Sequence, residues 1–396
     1  MHRRGQKVAV LVMFPLVDEK LRAELERYAQ VFDLRDYLWD RGVFFRMQLM
    51  TFAPVRWRAL LDILGGFGTT VHVMGIFGLL FACRLSHRLA GVRATIGVYH
   101  QNEYLFDAQD TYFVRAFRHY FSAIPASQFL FFNQANVTNY SRFFETDFST
   151  GTIAPIGIEI SEELPQGLPA QVRGKLVSVG NLVNFKTYNG HIIRIVAALV
   201  DRYPELHYDI YGSGSEENDL KALAESLGIK NRIHFFGPMM YSDFGKNVGQ
   251  AALFIGSGTA VLEAAALRIP AMIGIESIKQ AETYGFLSDI DGYSYNEYLS
   301  DVPRFSMQNL IERVLSDQVY AEEIASACRE KAKEFSIEST INSITTLSDC
   351  AQTEMLGLNN IECMRLCCSF VGVALLDALH LSSTFRNRRD QSYGLM

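Results

Sequence analysis

The residues best suited to chemistry lie in Ala251–Pro270, AALFIGSGTAVLEAAALRIP. A short apolar run enters Gly256-Ser257-Gly258-Thr259, and a helix-forming run follows at once. Glycine lets the backbone approach a ligand closely, and the first helical turn carries N–H groups with no intrahelical acceptor. Together with the helix dipole, this makes an anion site suited to a diphosphate. Glu263 follows Thr259 by four residues, about one turn further on. A carboxylate there can accept hydrogen bonds from vicinal hydroxyls such as those of a ribose. The same pattern also serves as a plain strand–helix turn with a surface glutamate.

A second cluster is Gly180-Asn181-Leu182-Val183-Asn184-Phe185-Lys186-Thr187. In an open α/β sheet, loops beyond the carboxyl ends of the strands line the ligand crevice. Lys186 in such a loop would neutralise phosphate charge as a nucleotide leaves, although a loop lysine is otherwise simply solvated. A third cluster, Gly212-Ser213-Gly214, has no further glycine opening a helix, and Glu216-Glu217 would repel phosphate. It reads as a structural turn.

These loops need strands and helices to hold them, and the chain alternates the two patterns throughout, as parallel α/β layers do. The first half predicts strands at 7–14, 44–52, 70–76, 95–99, 129–132 and 153–156. Helices are expected there at 21–41, 78–89, 111–120 and 137–144. Pro and Gly punctuation then marks a linker. Beyond it the spacing predicts strands at 175–180, 207–211, 232–236, 252–255 and 271–274. Helices are expected at 189–203, 217–227, 260–267 and 307–315, then at 321–335, 337–349 and 361–381. The implied organisation is a Rossmann-like domain over 1–165 and a linker at 166–174. A second α/β domain over 175–349 and a C-terminal helical tail over 350–396 complete it.

Residues 175–286 resemble the nucleotide-sugar domain of glycosyltransferase family 4, the retaining GT-B enzymes. The resemblance is carried by KLVSVGNLVNFKTYNG, HYDIYGSG, RIHFFGP, ALFIGSGTAVLEAAALRIPAMIG and TYGF, in that order. It is nearest to the bacterial surface-polysaccharide branch that makes O-antigen, lipopolysaccharide and capsule. It implies a GT-B fold, α/β in class, with two Rossmann-like domains facing across a cleft. Lys186 would contact the donor diphosphate, with Gly256, Ser257, Gly258 and Thr259 binding it around the turn. Glu263 would hold the ribose, and Phe236, Gly237 and Met239 would border the base. His100 is similar to the family histidine near the reacting sugar, so the resemblance gives His100 and Lys186 the catalytic roles.

Two positions depart from the family pattern. Asn181 stands where an arginine is usual, leaving Lys186 to carry the phosphate charge. Ile255 stands eight residues before Glu263, where a glutamate usually touches donor sugar hydroxyls. The implied reaction is transfer of a sugar, with retention, from a nucleotide diphosphate sugar to a glycan or polyprenyl-pyrophosphate-linked acceptor. No cofactor is expected, and no metal, because no DxD-like motif lies near the donor site. A nucleotide-sugar epimerase of similar architecture and an inactive GT-B scaffold are the alternatives. Ile255 favours the scaffold, while Lys186 and Glu263 count against it.

The chain has 396 residues, 49% hydrophobic and 20% charged, with a net charge of -6. This composition fits a globular two-domain protein and argues against nucleic acid as a partner. The acidity is uneven. Residues 1–165 carry 17 basic and 16 acidic residues, or +1, which leaves -7 for the remainder. Between Arg41 and His100 there are seven arginines and one acid, Asp62. Arg56, Trp57, Arg58, Arg84 and Arg88 in that stretch are candidates for an acceptor or anionic-membrane side, with solvated helix faces as the alternative. Six cysteines cannot form a dense disulfide framework, and reduced thiols suit the cytoplasm. The apolar run at 8–17 reads as a strand in preference to a signal peptide. The expected location is cytoplasmic, with peripheral contact at the inner face of the membrane.

Overall fold

The computed structural model describes residues 5–14, 18–39, 42, 44, 49–106, 110–165 and 170–381. The chain divides into two compact units. Among the described residues, the first takes those of 5–132, 136–154 and 341–381, and the second takes 133–135 and those of 155–340.

The first unit opens with β1 (Ala9–Val12), the short helix α1 (Glu19–Leu25) and β2 (Gln30–Asp33). β1 and β2 pair in parallel as a two-stranded sheet of their own. The predicted helix over 21–41 is therefore corrected. It stops at Leu25, because Gln30–Asp33 finds a hydrogen-bonding partner in β1, and a turn of 3₁₀ helix follows at Leu34–Tyr37. The strand expected at 44–52 is corrected at its end, where Met50–Phe52 forms a buried 3₁₀ turn, while 45–48 lie outside the described residues. Next come α2 (Trp57–Leu64), β3 (Thr70–Met74), α3 (Gly75–Ser86) and β4 (Arg93–Val98). α4 (Tyr112–Ser122), β5 (Phe129–Phe131), α5 (Gln134–Phe144) and β6 (Thr152–Ile153) follow. β3 to β6 make a parallel four-stranded sheet in sequence order. Its core is aromatic: Phe121 stacks on Phe144 at 4.3 Å and meets Phe129 edge-on at 4.9 Å.

The second unit holds a parallel five-stranded sheet of order β11-β10-β7-β8-β9. The strands are β7 (Val172–Val179), β8 (His207–Tyr211), β9 (Ile233–Gly237), β10 (Ala251–Gly256) and β11 (Ala271–Ile273). Between them run α6 (Tyr188–Leu199), α7 (Glu217–Ser226), α8 (Phe244–Val248) and α9 (Thr259–Ala266). Strand order reverses between β7 and β10, and crevices for ligands form outside the carboxyl ends at such a switch point. β10 is apolar along its whole length because both of its faces are covered.

A two-stranded ribbon of β12 (Glu282–Thr283) and β13 (Phe305–Ser306), then α10 (Met307–Ser316) and α11 (Gln318–Ala332), complete this unit. α12 (Ile337–Cys350) contains the passage back to the first unit, and α13 (Asn360–Ala378) lies wholly within it. α13 is tied to α4, since Tyr120 donates to Glu362 Oε2 at 3.0 Å and Phe370 meets Phe113 at 5.1 Å. Among the described residues no helix is long and apolar enough to cross a membrane.

Candidate active site

The loops beyond β7, β8 and β9 are laced together by their backbones. Gly180 N–H donates to the Tyr211 carbonyl, Leu182 N–H to Ser213 and Gly212 N–H to Gly237. A Cβ on Gly212 would overlap the Gly180 carbonyl, and one on Gly214 would overlap that of Leu182. Close backbone approach thus explains the third glycine cluster as a turn.

Lys186 sits inside the first of these loops. Its ammonium lies so close to Gly180 that a Cβ there would be 2.7 Å from Nζ. The loop is held from the far side, where Ser277 N–H donates to the Phe185 carbonyl at 2.6 Å and Thr187 Oγ1 to Ile278 at 2.8 Å. Burial lowers the Lys186 pKa, and Glu276 acts against that. Among the described residues no carboxylate comes within 4.0 Å of this ammonium. It is a partly desolvated cation without an ion-pair partner among the described residues.

β10 runs into Gly256 and Ser257, and Gly258 caps α9 with φ 67°, a conformation that favours glycine. The Gly258 amide differs from expectation. It donates to Asn296 Oδ1 at 2.8 Å, while Tyr295 donates its hydroxyl to the Gly258 carbonyl at 3.2 Å. An internal carboxamide therefore already satisfies the donor predicted for a diphosphate. The amides from Thr259 onward are left as the anion-facing end of the helix. One turn on, Glu263 Oε1 accepts from the Tyr241 hydroxyl at 2.8 Å. Burial raises the Glu263 pKa and the Tyr241 bond lowers it. Tyr241 follows β9 in a 3₁₀ turn, so the segment beyond β9 reaches α9.

At the end of β9, Phe236 is 55% exposed and stacks on Tyr211 at 4.8 Å, and Gly237 follows with φ 73°. Met239 accepts a hydrogen bond from Asn247 on its sulfur at 3.2 Å. Asn181 is exposed, and Ile255 is fully buried in the core around β10.

Sequence reasoning missed the carboxylates nearest the turn. Glu276, in the loop after β11, receives its backbone anchor from Asn296, whose carbonyl accepts the Glu276 N–H at 2.9 Å. Burial pushes its carboxyl up to about 7, with Lys186 pulling down and Glu297 pushing further up. Ser257, 3% exposed, lies beside Glu276 and Tyr188, yet its hydroxyl makes no hydrogen bond of ordinary geometry. Glu297, 5% exposed, has one oxygen without a partner. A loop glutamate carries no sequence signal; only the fold brings it to the turn.

In the first unit, His100 follows β4 on an exposed turn, and its Nδ1 accepts from Asn102 N–H at 3.3 Å. The basic stretch does not present one face. Arg84 corrects the expectation of a headgroup-facing charge, for it is 4% exposed and donates to the Thr51 carbonyl. It faces inward because α3 is buried along most of its length. Trp57 stacks on Phe81 at 5.7 Å beneath Arg84 and Arg88. Arg56 is exposed and donates to the Asp36 carbonyl, and Arg58 is exposed. Arg41 and Arg46 lie outside the described residues.

A cavity of about 700 Å³ opens between α6 and α7, lined by Asn184, Lys186, His191, Arg194, Asp219 and Lys279 among others. Lys186 borders it, and Gly258 and Glu263 do not. Among the described residues no group of three or more His, Cys, Asp or Glu is arranged to hold a metal ion.

With this geometry in view, comparison with known proteins decides the architecture. A glycosyltransferase from Rickettsia africae aligns over 88% of this chain and 90% of its own, with TM-score 0.59 and 12% identity. Sucrose-phosphate synthase from Thermosynechococcus elongatus aligns over 87% and 98%, with TM-score 0.58 and 13% identity. The chain has the GT-B fold. A third GT-B structure, Anabaena HepE in complex with UDP and glucose, aligns over 86% and 90%, with TM-score 0.56 and 13% identity. Residues 161–335, within the five-stranded unit, match the family profile of glycosyl transferases group 1. An uncharacterized glycosyltransferase of Haemophilus influenzae is 26% identical over 133 residues, 33% of this chain. That alignment spans 36% of the curated relative's length.

Proposed function

We propose that the protein is a retaining glycosyltransferase that moves a sugar from a nucleoside diphosphate sugar to a glycan or lipid-linked acceptor in surface-polysaccharide synthesis. The observation that carries this reading is Lys186, a partly buried ammonium with no carboxylate within 4.0 Å among the described residues. Leaving a cation in that state costs stability unless a ligand supplies the anion. The match of 161–335 to glycosyl transferases group 1 supports a diphosphate as that anion. The complex of HepE with UDP and glucose makes uridine the first base to try.

On this reading Lys186 and the N-terminus of α9 stabilise the departing diphosphate, which is electrostatic catalysis by preorganised donors. Glu263, steadied by Tyr241, receives the ribose hydroxyls, and Phe236, Gly237 and Met239 border the base. His100 is read as an acceptor-side residue of the first unit. No divalent cation is demanded, so turnover should survive EDTA. The protein is read as working in the cytoplasm beside the membrane that carries its acceptor.

The test is a thermal-shift screen of the full chain against UDP, GDP, ADP and CMP. A ligand that prefers the native state raises the melting temperature by mass action. One nucleoside diphosphate should do so well ahead of CMP. No shift with any of them at millimolar concentration would overturn the reading.

A further inference from the structure

The buried polar groups beyond β10 and β11 are not used by the roles above. Gly274 N–H donates to the Gly256 carbonyl at 2.7 Å, which joins the loop after β11 to the turn that starts α9. Asn296 ties the same two segments, accepting from Gly258 on its side chain and from Glu276 on its backbone. Glu276 is thus held beside the turn by hydrogen bonds on both flanks. Around it are Ser257, whose buried hydroxyl lacks a partner of ordinary geometry, and Glu297, with a buried oxygen also lacking one. An unsatisfied buried polar atom is costly, and a ligand that pairs with it recovers that cost. Ile255, fully buried, contributes no polar atom at this end of β10.

We infer that Glu276, with Ser257 and Glu297 behind it, forms the subsite that binds the hydroxyl groups of the donor sugar. The inference rests on the nucleoside diphosphate sugar reading. Lys186 and Glu276 influence each other but do not pair, since no carboxylate approaches the ammonium within 4.0 Å among the described residues. The cation remains available to phosphate and the carboxylate to hydroxyls, so the two poles match the two halves of a nucleotide sugar. A carboxylate accepting O–H bonds makes them about twice as strong as neutral ones. A site built to bind a hydroxyl strongly disfavours a ligand that lacks it.

Ionisation gives an independent handle. The groups that face Glu276 are Lys186 beyond β7, Tyr188 on α6, Ser257 beyond β10, and Tyr295 and Glu297 in the loop before β13. With its carboxyl pushed up to about 7, Glu276 gains charge through neutral pH. Affinity for the nucleotide sugar, whose diphosphate diester has no ionisation of its own in this range, should therefore grow from pH 6 to pH 8.

The experiment is isothermal titration of the full chain and its Glu276→Ala and Glu276→Gln variants. The probes are UDP, GDP and ADP, each beside UDP-glucose, GDP-mannose and ADP-glucose. For the pair that binds, Glu276→Ala should leave the nucleoside diphosphate Kd within threefold and weaken the nucleotide sugar at least tenfold. Glu276→Gln should lose the pH dependence of nucleotide-sugar affinity. Unchanged nucleotide-sugar affinity in both variants overturns the subsite and leaves the diphosphate reading standing. Equal loss of both ligands by a folded variant also overturns it, because Glu276 would then serve the phosphate side. If Glu276→Ala does not fold, a nucleotide-sugar affinity of the wild-type chain that is flat across pH 6–8 overturns the inference. Failure of the wild-type chain to bind any of the three diphosphates overturns the reading and the subsite together.

Discussion

Replacing Lys186 by methionine keeps most of the stem and removes the charge, so it isolates what the ammonium does. At a partly buried site an effective dielectric near 20 is appropriate, and a unit charge 4 Å away is then worth about 4 kcal/mol. Some of that is recovered by water entering the variant site, so a loss of about 2–4 kcal/mol is expected. That corresponds to roughly a 30- to 1,000-fold fall in kcat/KM. Stability should move the other way. Burial disfavours the Lys186 charge and no ion pair within 4.0 Å offsets it among the described residues. The urea midpoint of Lys186→Met should thus be equal to or above that of the wild type. The assay is release of nucleoside diphosphate alongside urea unfolding of the same preparations. Lys186→Arg should retain part of the activity, because it retains the charge. Unchanged turnover in Lys186→Met, or lost turnover with an equal loss of stability, would refute the assignment.

Tyr241→Phe removes the hydrogen bond to Glu263 at 2.8 Å from an exposed ring. Nucleoside diphosphate affinity should fall roughly two- to tenfold, about 0.5–1.5 kcal/mol, with little change in melting temperature; unchanged binding in titration would remove Tyr241 from the site. His72, bonded to Thr95 at 2.8 Å and Tyr99 at 2.7 Å, has its pKa lowered by burial to about 4. Its unfolded value is near 6.5, so the unfolded chain binds the extra proton between those values. The neutral ring's contribution, about 3 kcal/mol, is complete above pH 6.5 and lost as pH falls towards 4. Urea midpoints of His72→Gln should show a shallower acid slope than wild type over that window, and parallel slopes would refute it. Asp209, 4% exposed, pairs with Lys175 at 3.1 Å and His234 at 2.7 Å. Asp209→Ala should cost about 3–5 kcal/mol by stranding a buried ammonium, read as a lower urea midpoint.

The second unit was legible in sequence at β10 and β11, which are covered on both faces and read as the uninterrupted apolar runs AALFIG and AMI. His207–Tyr211 begins and ends where the pattern predicts, and the β10–α9 turn lies where its glycines fall. The first unit was less so. Residues 21–41 carry a helical spacing of apolar and charged side chains, but Gln30–Asp33 pairs with Ala9–Val12. Such a pairing depends on a distant segment, and no local pattern reports it. Arg84 shows the same limit for charge: a basic residue counted towards a surface is buried against the Thr51 carbonyl.

The sequence by itself determined the second unit's alternation of strands and helices, the glycine turn that opens α9, and the placing of Lys186 and Glu263 in segments beside a strand end. These follow from local steric and periodic rules, which act over a few residues. Only the tertiary structure decided that Asn296 occupies the Gly258 amide, that Tyr241 steadies Glu263, and that Glu276 stands beside Ser257. These partners are 38, 22 and 19 residues apart along the chain. Sheet order joins the last pair, since β10 lies beside β11 and their loops leave the same end, and the other two are joined by loops that cross to α9.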